Sequence, residues 1–139
     1  MTNNQRLLIQ HRWADRVGSQ VVDYDLSEYP PGRIAALRVA GYCSTTGPTI
    51  SVYVSLYLGN LEHVLAMTGD VSLSSDQFRI EFLPWARPTR MNDLLHIVPI
   101  WAPLLIPEMT LHIVANVNTG DIRINEVLLL LEPNNAVRT

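Results

Sequence analysis

The stretch that decides the fold is Met109-Thr110-Leu111-His112-Ile113-Val114-Ala115-Asn116-Val117-Asn118-Thr119-Gly120-Asp121-Ile122-Arg123-Ile124-Asn125-Glu126-Val127-Leu128-Leu129-Leu130-Leu131. Met109, Leu111, Ile113, Ala115 and Val117 alternate with Thr110, His112, Val114 and Asn116. A period of two is the mark of a half-buried strand. Residues 118–121 are a turn cluster that tolerates positive φ and bonds its own backbone. The alternation then resumes and ends in 127–131, apolar enough to be covered on both sides. The stretch therefore predicts a hairpin. Two strands alone are marginal in water, so others must cover it.

Upstream segments supply them. Residues 49–59 set Ile50, Val52, Val54, Leu56 and Leu58 against Ser51, Tyr53, Ser55 and Tyr57. Residues 77–83 point Phe78, Ile80 and Phe82 inward and Arg79 and Glu81 outward. In 33–43 the apolar residues fall on both faces, Ile34 and Ala36 against Leu37 and Val39, the pattern of a central strand. Weaker strands are expected at 6–13, 20–24 and 93–101, where Pro99 pushes the end to an edge or bulge. Residues 61–67 admit a strand or a short helix; the short connection through Gly59-Asn60 favours the strand. Turn signals stand at 27–32, 44–48, 68–70 and 74–76, with a long loop at 84–92 and another between Pro103 and Pro107. Eight or nine short strands without an amphipathic helix predict an all-β, antiparallel β-sandwich. With long connections, the form expected is a jelly roll.

At 139 residues the chain is expected to be one domain, 1–139, with tails at 1–5 and 132–139. Cys43 is the only cysteine, so neither an internal disulfide nor a multi-cysteine zinc site is available. The N-terminus lacks a signal-peptide pattern, and the apolar runs are too short to span a bilayer. A net charge of −3 gives no general attraction to nucleic acid. All ten cations are arginine. Codon bias of a GC-rich genome is one reading. The other is a protein with little free surface, because interfaces favour arginine over lysine.

Catalytic signatures are missing. His11, His63, His96 and His112 are not at metal-binding spacings, carboxylates are scattered singly, and there is no nucleophile elbow or phosphate loop. No cofactor and no enzyme activity are expected. The contact candidates are Trp85 and Trp101 in proline-flanked loops, Tyr53 and Tyr57 on one strand face, and Arg87 and Arg90, with Arg79 near them in sequence. Loop tryptophans stack on sugars or anchor protein interfaces. Trp85 and Trp101 follow successive strands, so they are expected at opposite ends, which weakens the idea of one sugar clamp using both.

Residues 120–129, Gly-Asp-Ile-Arg-Ile-Asn-Glu-Val-Leu-Leu, resemble the last strand of galactose-binding-like jelly rolls, including carbohydrate-binding modules. Asn125 and Glu126 stand where an acidic pair is common. The whole-chain profile is also similar to jelly-roll decoration, or cement, proteins of tailed-phage capsids. That resemblance implies a non-enzymatic virion structural protein on the capsid surface, or otherwise a cytoplasmic one. It would act by protein–protein contact with subunits such as the major capsid protein, as a homo-oligomer, a trimer among the options. The first resemblance implies the alternative, a carbohydrate-binding module using exposed aromatics.

Overall fold

The computed structural model describes residues 5–9, 20–29, 31–85, 87, 89–90 and 95–133. Eleven strands are formed among them: β1 (Gln5–Ile9), β2 (Gln20–Asp25), β3 (Gly32–Cys43), β4 (Thr49–Leu58), β5 (Leu61–Met67), β6 (Val71–Ser72), β7 (Gln77–Leu83), β8 (Thr89–Arg90), β9 (Leu95–Pro99), β10 (Met109–Val117) and β11 (Ile122–Pro133). One sheet, A, has the order β1-β11-β3-β7-β9-β8. The other, B, has the order β2-β10-β4-β5, with β6 also paired to β4. A single apolar cluster joins the two. Sheet A contributes Leu37, Val39, Ile80, Phe82, Ile124 and Leu129; sheet B contributes Val52, Val54, Leu111 and Ile113. The chain is thus all-β, with the inner faces of two sheets meeting as in a β-sandwich. Each fully buried aliphatic or aromatic side chain contributes about 1.5–3 kcal/mol to closing the layers.

The predicted C-terminal hairpin is not a hydrogen-bonded pair. β10 pairs with β2 and β4, whereas β11 pairs with β1 and β3. Residues 118–121 carry the chain from one sheet to the other. Alternation shows that a strand has an inner face, but not which neighbour it bonds. Facing strands across a core carry the same pattern as paired ones. The crossing is anchored at both ends: the Thr49 N–H donates to Asn118 Oδ1 at 2.9 Å, and the Asp121 N–H donates to Ser44 Oγ at 2.8 Å.

The two-faced apolar pattern of β3 also has another cause. Leu130 pairs with Ala36 but Leu131 with Ile34, so Ala35 is an extra residue. This bulge flips the alternation. Ile34, Leu37 and Val39 consequently all face the core. β3 is nonetheless central, between β11 and β7. A second bulge at Asn125 does the same in β11: Ile122 and Ile124 point inward before it, and Val127, Leu129 and Leu131 after it. Leu128 and Leu130 are left half-buried on the outside.

The remaining expectations divide. Residues 61–67 form a strand, closed by a two-residue turn in which Gly59 takes a φ of 61°, a conformation that suits glycine. Pro99 ends β9 beyond the short β8, where no ladder partner is needed on that side. The long loop at 84–92 contains β8. The expected tail at 132–139 begins later, since β11 runs through Pro133, and Gln5 already belongs to β1. Residues 1–4, 10–13 and 134–139 of the expected tail and strand lie outside the described residues.

Candidate functional site

The outer face of sheet B is built in rows across four strands. Val21, Val114, Tyr53 and Met67 form one row by register. Asp23, His112, Ser55 and Val64 form the next, and Asp25, Thr110, Tyr57 and Glu62 the third. In the middle row His112 Nδ1 is paired with Asp23 Oδ1. The His112 ring is edge-on to Tyr57 at 5.1 Å between centroids and tilted against Tyr53 at 6.4 Å. Burial, then the Glu62 carboxylate, push the Tyr57 phenol above its ordinary pKa. Tyr53 and Tyr57 therefore do share a face, with an imidazole between them that their spacing in sequence gave no means of placing.

Asp23, His112 and Ser55 stand side by side in the order of a hydrolytic triad. The likeness stops at the residue types. Ser55 is wholly buried, and its hydroxyl has no hydrogen-bond partner, the imidazole included. A nucleophile must be activated by a base within hydrogen-bond reach and must be met by its substrate. Ser55 fails both tests, and β4 and β10 are inner strands whose ladders occupy both edges. The row acts as packing capped by the His112–Asp23 contact.

Among the described side chains, the exposed large apolar ones are Val21, Leu58, Leu61, Val64, Met67, Trp85 and Trp101. All but Trp85 belong to sheet B or lie against its edge strand β5. Leu61 is 64% and Met67 61% exposed. Trp101, 60% exposed, donates its backbone N–H to Leu65 O and sits edge-on to His63 at 6.5 Å. Leu58 and Leu61 thus flank the β4–β5 turn, and Trp101 stands along β5 against His63 and Leu65.

The tryptophans do not lie at opposite ends. β7 and β9 are parallel, and Leu83 pairs with Pro99. Trp85 and Trp101, each two residues further on, leave the sheet at the same end. The assumption of strictly antiparallel succession fails because β8 is inserted between them and pairs antiparallel to β9. Trp85, 79% exposed, overhangs a hollow of about 420 Å³ lined by Arg33, Ile34, Ala35, Pro84, Ala102 and Glu132. Arg33 Nη1 donates to Ala102 O at 3.0 Å.

The arginines divide by face. Arg38 binds Glu81 at 2.6 Å and reaches Glu126 at 3.7 Å, while Arg79 binds Glu81 at 3.2 Å, all on the outer face of sheet A. Arg79 therefore does not join the loop of Arg87, as its place in sequence suggested. Arg87 is exposed and makes an interaction. The side chains of Arg90 and His11 lie outside the described residues. Cys43 is buried, its thiol pushed up to about 11 by burial and, second, by Asp76. Among the described residues no cluster of three or more His, Cys, Asp or Glu forms a metal site, and no helix is long and apolar enough to cross a membrane.

Comparison with protein-family models, with curated proteins and with solved structures finds no match to this chain.

Proposed function

We propose that this chain is a non-enzymatic structural subunit that works by protein–protein contact, a capsid decoration protein in the form its sequence profile suggests. We read its strand order as a jelly roll: first strand beside last in sheet A, second beside penultimate in sheet B, with β8 and β9 added at the β7 edge. One observation carries the functional reading. Among the described side chains, the exposed apolar ones are concentrated on sheet B and its edge, where a lone soluble domain has no use for them. Leu58, Leu61 and Trp101 at the β5 edge would join copies of the chain, and the outer face of sheet B would meet the shell. A small closed oligomer would multiply weak contacts into firm attachment.

The test is co-sedimentation with assembled shells encoded by the genes beside its own. Saturable binding at a fixed ratio to shell subunits is expected. Failure to pellet with those shells, or neighbouring genes for glycoside hydrolases, would count against it.

A carbohydrate-binding reading has its own observation: two exposed tryptophans at one end, one over a hollow bearing Arg33 and Glu132. Titration against a panel of polysaccharides decides it. Binding lost in Trp85→Ala favours this alternative, and silence across the panel retires it.

A further inference from the structure

We propose that the outer face of sheet B docks an arginine-bearing apolar segment of a partner protein. The inference rests on the assembly reading and names the chemistry of that contact. Val21, Tyr53 and Met67, with the buried Val114 between the first two, run as a stripe across four strands, roughly 14 Å at about 4.8 Å per inter-strand step. Val64 widens it on β5. Such a stripe is a floor for one apolar ridge or strand.

The surroundings of the stripe state the partner's charge. Asp23, Asp25 and Glu62 flank one side of it, all exposed. On the other side, next to Ser51 and Asn116 of the same face, a hollow of about 350 Å³ is lined by Thr49, Ser51, Asp70, Asn116 and Asn118. Asp70 brings a carboxylate to this hollow beside the Asn116 amide and hydroxyls, with Ile50 and Val117 also in its wall and Asn118 Oδ1 already taken by the Thr49 N–H. Arginine presents five N–H donors in a planar fork, and a recess holding a carboxylate suits that fork. Asp23 is paired with the His112 imidazole and Asp25 accepts the Ser27 N–H, but no strand of this sheet carries an arginine. Arg38, Arg79 and Arg123 project from the outer face of sheet A, Arg33 lies at the Ala102 end, and Arg87 follows β7. A second copy is a poor occupant, because carboxylate would face carboxylate. A partner with an arginine next to leucine or valine satisfies both the stripe and the recess.

The experiment is a selection. A random-peptide display library is panned on the immobilised full chain, and enriched peptides are re-tested on variants. Peptides that pair arginine with aliphatic residues are expected. Their binding should weaken as salt rises, be lost on Met67→Ser and on Asp70→Asn, and persist on Trp101→Ser. Both substituted residues are exposed, so the fold is not at stake. Enrichment of peptides lacking arginine, unchanged binding to Met67→Ser or Asp70→Asn, or no enrichment at all would overturn the proposal. Binding lost only on Trp101→Ser would overturn it while leaving the assembly reading intact. A dimer of the chain abolished by Met67→Ser would assign this face to a second copy and overturn it too.

Discussion

Ser55 and Cys43 show how single buried groups separate structure from chemistry. The Ser55 hydroxyl is buried without a partner, which costs free energy that a methyl group would not. Ser55→Ala should leave the protein as stable or up to about 2 kcal/mol more stable in urea unfolding. A clear loss of stability would mean that the hydroxyl has a partner in solution and would reopen the triad. Cys43 titrates at about 11 in the folded chain, raised from its ordinary 9.0 mainly by burial. Between those values the folded state holds the proton that the unfolded state releases, so stability falls as pH rises. The contribution is intact below about pH 9 and declines through about pH 11. Thermal melts of wild type and Cys43→Ala over pH 7–11 should converge or cross as pH rises; parallel curves would contradict it. At pH 8 the thiol should react with a thiol reagent only after denaturation.

At the scale of elements, strands were legible and their partners were not. Period-two alternation placed β4, β7 and β10 because each has one apolar face for its whole length. β3 misled because one extra residue, Ala35, changes the parity midway, and a bulge has no fixed residue signature. The Asn125 bulge is legible only once the layers are known. It leaves the Ile124 N–H to be satisfied from the opposite sheet, where buried Gln20 accepts it through Oε1 at 2.8 Å. Gln20→Leu strands that donor and should cost roughly 1–3 kcal/mol. It should also raise the exchange rate of the Ile124 amide; unchanged stability would remove the strut. Gly41, opposite Ile124, has a further reason to be glycine: a Cβ there would fall 1.7 Å from Arg123 O. Backbone must move to admit it, so Gly41→Ala should cost about 3 kcal/mol or block folding, at the upper end of overpacking. Denaturation within about 0.5 kcal/mol of wild type would contradict that.

For the whole molecule, class was readable from alternation and turn residues, while the sites were not. Tyr53 and Tyr57 shared a face by simple spacing. Their imidazole neighbour comes from a strand more than fifty residues away, and no local signal carries that distance. Trp85 and Trp101 leave the sheet at one end only because β9 runs parallel to β7, a reversal hidden in the 84–92 loop. What emerges is a division of labour between faces. Sheet A closes its outer charges on one another through Arg38, Arg79, Glu81 and Glu126, and each such surface pair adds only about 0–1 kcal/mol. Among the described side chains, sheet B and its edge leave apolar groups in the open. On the reading proposed above, those groups serve contact between chains. Sedimentation equilibrium across a wide concentration range, on wild type and on a Leu61→Ser/Trp101→Ser variant, tests this most directly. Wild type should rise from 15.6 kDa to a small whole-number multiple while the variant stays at the single-chain mass. A wild-type mass of one chain at every concentration, or an oligomer that the two substitutions leave intact, would contradict it.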